Sequence, residues 1–331
     1  MGIFGRMFGK KAPQAAGEQP QTPSAIPATP SAPQTEAAPA PAQKTVAPAT
    51  AEPAAPQTPT PMRLQVLFPK PPQLDGQTLV SLLERLHPSF RGSKLEVLED
   101  KDGARGRAVF ANHVVEILVR ARPLPKDAAE YAIGPAQYKP ELKEIARAHG
   151  AYLVLNYHGQ EKSPWEQLVA LAVIAALLTK QGATTVANVD AYTSVPSSTF
   201  EQIFQSPDPV GMLRSMPPAM LFCGFVKYTP AGDPGVWMRT HGGQRLGLPD
   251  LAIHRDSHAE GEKVFRLFNA VLNHMRENNQ TFTAGQTLQV AGTTTVNFRD
   301  PRSDEPFQEK PGQILILETH EIGDQPAVTS M

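Results

Sequence analysis

His254 and His258 are the residues whose spacing comes nearest to metal chemistry. They lie four positions apart with Asp256 between them, and two imidazoles at this spacing can ligate one metal ion when the segment is helical. The apolar pattern before them and Gly261 after them instead favour a strand-to-helix turn, which would separate the rings. Two ligands also fall short of a closed site. We therefore predict no metal and no cofactor here, and interpret both histidines as part of a polar connector.

Polar residues at predicted strand ends are the other candidates for a functional cleft. His241 precedes Gly242 and Gly243, and His158 follows Tyr157. Each set either lines a cleft or ends a strand at the surface. The candidate functional surface comprises Thr240, His241, Gly242, Asp250, His254 and His258. We assign no catalytic residue to it.

Strong catalytic signatures are absent from the sequence. There is no CxxC pair, no HExxH, no GxSxG, and no GxGxxG after a strand. Cys223 lies in the apolar run AMLFCGFV, which is typical of a small core residue rather than a nucleophile. As the only cysteine it excludes an intrachain disulfide, in agreement with a reducing compartment. The net charge of −1 gives no electrostatic footprint of a nucleic-acid binder. We expect a cytoplasmic chain that does not bind nucleic acid.

One apolar run, from Leu168 to Leu178, organises the elements that must position these residues. Ser163 is a good N-cap, Pro164 fits the first helical position, and Gly182 is a natural left-handed stop. As a helix the apolar part would measure about 16 Å, against roughly 30 Å for the hydrocarbon core of a membrane. We therefore predict a helix over 164–181 that is buried in protein.

Hydrophobic periodicity places the rest of the chain in the α+β class, with mostly antiparallel sheet around this helix. Helical patterns cover 76–86, 127–150 in two pieces, 261–278, and short stretches of 197–216. Strand patterns cover 62–68, 94–100, 106–111, 114–121, 151–159, 184–192, 219–229, 235–240, 245–255, 281–292, 293–298 and 312–318. Segments 94–121 should form an antiparallel meander. Segments 151–159 and 184–192 should form a βαβ unit with the buried helix, and Pro249 favours an edge or a bulge for 245–255.

The domain organisation follows from a change in composition near residue 62. Residues 11–61 contain 13 of the 34 prolines and no aromatic side chain, a composition typical of a disordered tether. We expect a short basic amphipathic peptide at 1–11, a Pro/Ala-rich linker at 12–61, one α+β domain of two packed halves at 62–324, and a loose tail at 325–331. In the first peptide, Ile3, Phe4, Met7 and Phe8 share one helical face, which is either a weak membrane or partner docking site or a frayed start.

The C-terminal half resembles a known family in the order of its short motifs. Thr240 and Gly242 match its Thr-x-Gly turn, Gly247, Pro249 and Asp250 match its glycine–proline–acid strand, and Gly285 matches a later glycine. In these features the chain is similar to the bacterial domain-of-unknown-function family 4261, over most of residues 64–317. Asp250 stands where the family has Glu, and leucines flank Gly247 where an aromatic residue is common.

The resemblance implies a cytoplasmic α+β binding module rather than an enzyme. The C-terminal half is more faintly similar to suppressor-of-fused-like domains, α+β modules that bind other proteins and are implicated in toxin immunity in bacteria. We expect a non-catalytic protein–protein interaction, regulatory or immunity-like, with a protein partner. The alternatives are a hydrolase-like or metal-dependent enzyme, which would use His241, Asp250, His254 and His258, and a small-ligand-binding domain.

Overall fold

The computed structural model describes residues 61–100, 103–290, 294–307, 309–310 and 312–321. The predicted N-terminal peptide, the predicted linker up to residue 60 and the predicted C-terminal tail lie outside these residues. The helices are α1 (Gly76–Leu86), α2 (Lys126–Ile133), α3 (Pro140–Arg147), α4 (Pro164–Thr179), α5 (Ser198–Phe204), α6 (Pro209–Arg214), α7 (Pro218–Leu221) and α8 (Gly261–Glu277). The strands are β1 (Arg63–Phe68), β2 (Lys94–Asp100), β3 (Gly103–Phe110), β4 (His113–Arg120), β5 (Ala151–Tyr157), β6 (Thr185–Asn188), β7 (Thr193–Pro196), β8 (Gly224–Tyr228), β9 (Val236–His241), β10 (Asp250–Arg255), β11 (Thr287–Val290), β12 (Thr294–Arg299) and β13 (Ile314–Glu321).

Seven strands form the first sheet, in the order β2-β3-β4-β5-β1-β6-β7. The predicted meander is confirmed as β2, β3 and β4, which pair antiparallel in sequence. The βαβ unit is confirmed in a modified form, because β1 lies between β5 and β6 and pairs antiparallel with both. The strands on either side of the helix are therefore parallel to each other but are separated by the first strand of the chain.

The apolar helix α4 packs on this first sheet, as predicted. All eleven residues from Leu168 to Leu178 are buried, in a core shared with β1, β4 and β5. The Ser163 hydroxyl accepts from the Glu166 N–H at 3.4 Å, and Gly182 has φ +94°, so both ends of the helix form where the sequence places them. No helix among the described residues has both the length and the hydrophobicity that crossing a membrane requires.

Six strands form the second sheet, in the order β11-β12-β13-β10-β9-β8. Among the described strands of this sheet, only β10 and β13 pair in parallel. One face packs on the amphipathic helix α8 through side chains such as Leu251, Ile253 and Phe268. The other face carries Trp237, Ala252 and Ile316 under Phe307. The α+β class is confirmed, and the second sheet has its own helix rather than sharing α4.

Four strand predictions were too long, and one of them, 281–292, becomes a strand only at Thr287. Pro218 begins α7, and Asn269 Oδ1 accepts from the Ala219 N–H at 2.8 Å, so only Gly224–Tyr228 of segment 219–229 is a strand. Segment 184–192 stops at Asn188, and the unpredicted β7 pairs back on β6. Segment 245–255 becomes a strand only at Asp250.

The edge position suggested by Pro249 is wrong. Strand β10 lies inside the sheet between β9 and β13. Pro249 precedes the strand, so its missing N–H removes no hydrogen bond from the ladder.

Candidate functional site

Asp250 is the centre of a buried cluster at the start of β10. Its Oδ1 accepts from the Gly243 N–H at 3.0 Å and from the Thr240 hydroxyl at 3.3 Å. The same hydroxyl accepts from the Leu251 N–H at 2.8 Å. Arg239 approaches the other carboxylate oxygen at 3.7 Å and pairs more closely with Glu309 at 2.6 Å. We name Arg239, Thr240, Gly243, Asp250 and Glu309 the Asp250 cluster.

The Asp250 cluster closes the chain between β9 and β10 into a tight loop. Gly242 has φ +91°, and a Cβ there would lie 2.9 Å from the Ala191 Cβ. A Cβ on Gly243 would lie 2.8 Å from the Pro249 carbonyl oxygen, so both positions need glycine. The threonine, glycine and acidic residues of the family-like motif therefore fix the shape of this loop.

Burial sets the protonation of two groups in this region. Burial raises the pKa of Asp250 to about 6, against the lowering effects of the Gly243 N–H, Arg239 and Thr240. Burial and the charge of Arg239 lower the pKa of His241 to about 4, so its ring is neutral at pH 7. Since Asp250 is enclosed and its Oδ1 accepts from Thr240 and Gly243, the side chain is placed to hold the loop.

The six residues chosen from sequence separate into one group of four and two histidines that lie elsewhere. Thr240, His241, Gly242 and Asp250 lie together at the ends of β9 and β10. His254 lies near the far end of β10, about 13 Å from Asp250 at the usual rise of a strand, where its Nε2 lies 2.9 Å from Asp233 Oδ1. His258 begins a separate 3₁₀ turn. No group of three or more His, Cys, Asp or Glu side chains within the described ranges is arranged to hold a metal ion.

His158 and Cys223, the other two side chains considered in the sequence, each have neighbours that give them a structural role. His158 Nε2 lies 3.4 Å from Glu116 Oε2, and the Tyr157 hydroxyl lies 3.0 Å from His113 Nδ1. Cys223 is fully buried in the core of the second sheet, as predicted. Burial holds the pKa of its thiol well above the ordinary value, which leaves the nucleophilic thiolate disfavoured.

A groove of about 1010 Å³ lies beside the 242–249 loop. Its lining includes Arg63 from β1, Gln167 from α4, Asp190 and Tyr192 from the turn after β6, and Arg245 from the loop. Asp190 accepts from Arg63 at 2.9 and 2.6 Å and also from Arg245. We name it the arginine groove.

The two arginines control the ionisation of Asp190. Burial raises the pKa of Asp190, but the Arg63 hydrogen bond and the charges of Arg245 and Arg63 outweigh it and hold that pKa below its ordinary value. Arg245 also donates to the Pro61 carbonyl oxygen at 2.9 Å. The groove therefore keeps one carboxylate ionised between two guanidinium groups.

Three rings form a row that meets this groove at Tyr192, which is part of its lining. The Tyr192 ring lies 4.8 Å from His241 and 5.6 Å from Tyr131, between ring centroids. Tyr131 is 61% exposed and Tyr192 is 37% exposed. Tyr192 has φ +55° and ψ +43°, a left-handed conformation that costs a bulky residue energy and is concentrated at functional sites. We name Tyr131, Tyr192 and His241 the aromatic row.

Sequence reasoning missed most of the arginine groove. Arg63 and Asp190 are 127 positions apart, and no periodic pattern joins them. A weak signal was present, since Arg63 begins an otherwise apolar strand and Asp190 interrupts the apolar segment TTVANVDAY. The segment was predicted as strand, which hid the turn that presents Asp190 and Tyr192.

The comparison with protein families agrees with the resemblance in the C-terminal half. Residues 239–315 match the family described as "Domain of unknown function (DUF4261)". The matched stretch runs from Arg239 through the 242–249 loop and α8 to β13. No curated protein and no solved structure matches the chain. The family resemblance is confirmed for this stretch, and its description carries no activity.

Proposed function

We propose that the chain is a non-catalytic protein-binding module and that it binds its partner through the arginine groove and the aromatic row. The aromatic row is the observation that carries this proposal. Tyrosine and arginine are enriched at the energetic centres of protein interfaces, because they supply large contact area together with hydrogen bonds. Here the strained, exposed Tyr192 is the middle ring of the aromatic row, and it also lines the groove that contains the two arginines.

The role that goes with this binding is regulatory or immunity-like, as the fainter resemblance to suppressor-of-fused-like domains suggests. We place it in the cytoplasm, supported by the single buried cysteine. The enzyme alternative needs His241, Asp250, His254 and His258 to meet, and the hydrogen bonds of Asp250 and His254 hold them to different neighbours. Chemistry shared by these four residues has no support in the described part of the chain.

Small-ligand binding is the second candidate, favoured by the size and concavity of the arginine groove. A cavity of about 1010 Å³ lies at the upper end of the usual range for ligand sites. The two candidates differ in the aromatic row. A small ligand inside the groove leaves Tyr131 unused, whereas a protein partner covers it.

Affinity purification from the native host tests the proposal. The tagged full chain is compared with a Tyr131→Ser, Tyr192→Asn double variant and with Ile145→Ser, which removes an exposed apolar side chain (50% exposed) outside the row and the groove. We expect a host protein that co-purifies with the wild type and with Ile145→Ser and is depleted with the double variant. Recovery of the same proteins in equal amounts with all three chains would contradict protein binding through the row.

A further inference from the structure

The charge balance of the arginine groove carries an inference about what binds there. Asp190 is the acidic side chain of its lining, opposite Arg63 and Arg245. Arg63 uses Nε and Nη2 on Asp190, and Arg245 uses Nη1 on Asp190 and Nη2 on Pro61. One carboxylate thus faces two permanent cations, and the groove keeps a net charge of one positive unit.

Both arginines retain donors for a ligand. Each guanidinium has five N–H groups in a planar fork suited to carboxylates. Within the described residues, Arg63 Nη1 and Arg245 Nε make no hydrogen bond that would occupy them. Glu161 is not part of the lining, and its carboxylate accepts from the Ser163 N–H and from Asn112. An incoming carboxylate therefore meets free donors of two cations, and Asp190 is the acidic side chain of the lining that it approaches.

The walls of the groove add an apolar component beside this charge. Met62, Pro164, Val189 and Tyr192 contribute to the lining. Tyr192 continues from the groove into the aromatic row, which extends the surface to Tyr131. The combined surface matches an extended chain that carries an acidic residue next to apolar ones, and it is longer than a single small anion.

We propose that the arginine groove binds an acidic peptide segment of the partner, with one Asp or Glu carboxylate held by Arg63 and Arg245 and a neighbouring apolar side chain packed on Tyr192. The inference rests on the proposed function and names the chemistry of its partner. Asp190 has a positioning role, since it fixes both guanidinium groups before the peptide arrives. The peptide carboxylate would be the second one bound by Arg63 and Arg245, which both already donate to Asp190.

Fluorescence anisotropy with defined peptides tests this inference on the full chain. The probe is a labelled decapeptide of alternating Glu and Leu, and the matched probe has Gln for every Glu. We expect the Glu peptide to bind about tenfold tighter or more at low salt, and the advantage to shrink at high salt, because charge-assisted contacts at a partly exposed site are screened. Equal binding of the two peptides to the wild type would overturn the inference without any variant.

Two variants locate the effect. The Arg63→Gln, Arg245→Gln double variant should lose the preference for Glu over Gln. Arg266→Gln, which removes an exposed arginine paired with Glu262 on α8, should keep it. A preference that persists in the groove variant would overturn the inference. If the groove variant does not fold, the wild-type comparison of the two peptides decides.

Two further measurements complete the test. One distinguishes a peptide carboxylate from a free anion, and the other distinguishes failure of the acidic segment from failure of the protein-binding function. Acetate and inorganic phosphate are added as competitors. Displacement of the Glu peptide at equal or lower concentrations than unlabelled peptide would assign the groove to a free anion and overturn the peptide. A host partner that depends on Tyr131 and Tyr192 but not on Arg63 and Arg245 would leave the protein-binding function standing and remove the acidic segment.

Discussion

Two arginine–aspartate clusters in this protein use the same chemical groups for different ends. Asp190 accepts from Arg63 at 2.6 and 2.9 Å in an open groove, whereas Asp250 lies 3.7 Å from Arg239 in the interior. The pKa of Asp190 lies below its ordinary value and that of Asp250 is raised to about 6. The strength of the pairing decides this difference, because close contact with two cations outweighs partial burial at Asp190, while one distant cation does not offset nearly full burial at Asp250.

The two clusters also differ in the role that we propose for them: the Asp250 cluster holds a loop, and the arginine groove binds a partner. In the Asp250 cluster the polar groups are directed at one another, because Asp250 accepts from the Gly243 N–H and the Thr240 hydroxyl and Arg239 pairs with Glu309. In the arginine groove, both guanidinium groups border open space beside an exposed aromatic row. The family-like motif builds the first cluster, and its loop carries Arg245 into the second.

Removal of Arg239 should have the largest effect. Arg239→Ala leaves Asp250 and Glu309 without their shared cation and takes away the side chain that lies 5.5 Å from the Phe307 ring. We expect a loss of about 3–5 kcal/mol in the free energy of unfolding, the range for breaking a buried pair. Urea denaturation at pH 7 measures it.

Arg245→Ala is the matched variant in the groove. Its ion pair with Asp190 is partly exposed, so we expect a cost of about 1 kcal/mol or less. An equal loss for the two variants would mean that the arginine groove is as structural as the Asp250 cluster, and the proposed contrast would be wrong.

Gly242→Ala should rank next, because it disturbs the contact that joins the two clusters. The new Cβ combines a left-handed backbone with a 2.9 Å approach to Ala191. The two penalties together predict about 3 kcal/mol. Gly247→Ala provides the control, since Gly247 has φ +74° with open space around it and should cost only about 1–2 kcal/mol. Similar losses at both positions would show that the packing on Ala191 does not matter.

Dependence on pH should separate the two aspartates by sign. The folded pKa of Asp250, about 6 against 3.8, means that the folded chain holds a proton that the unfolded chain releases. Ionisation of this group therefore lowers the free energy of unfolding as pH rises from about 4 to 6. Asp250→Asn removes that loss, so its stability relative to wild type should improve by about 2 kcal/mol between pH 4 and pH 7.5.

Asp190→Asn should change in the opposite direction and at lower pH, around and below the ordinary carboxylate pKa of 3.8. The lowered pKa of Asp190 stabilises the folded wild type above the ordinary carboxylate pKa, and this contribution disappears on acidification. The variant should be weaker than wild type at pH 7.5 and approach it at low pH. Parallel slopes for the two variants would contradict the assignment.

Replacement of Tyr192 should give the smallest change in stability. Asparagine tolerates the left-handed conformation that Tyr192 adopts, and the relief of strain offsets the loss of two ring contacts. We expect Tyr192→Asn to lie within about 0.5 kcal/mol of wild type in thermal unfolding while partner binding is lost. Ala111→Asn, at φ +49° without a ring to lose, should stabilise by about 0.5–1 kcal/mol. A loss above about 2 kcal/mol for Tyr192→Asn would assign the ring to structure rather than to binding.

Local patterns predicted the elements well and the groove poorly. The α4 caps, the meander and α8 follow from signals within one turn or one strand, which a sequence contains in full. Thr240, Gly242 and Asp250 were also found, since their motif spans only a short loop. Arg63, Asp190 and Arg245 come together only when β1 inserts between β5 and β6, and that pairing depends on contacts across the whole fold. His254 and His258 were expected to be separated by a strand-to-helix turn, and β10 ends at Arg255 before the 3₁₀ turn that begins at His258.

Site-specific photo-crosslinking in the native host tests the contrast between the two regions most directly. Benzoylphenylalanine is placed at position 131 in the aromatic row and at position 304, an exposed residue of the loop that also carries Phe307 and Glu309 to the Asp250 cluster. The proposed function predicts a crosslinked partner from position 131 and none from position 304. A partner captured from position 304 and not from position 131 would contradict it and move the binding surface to the Asp250 cluster.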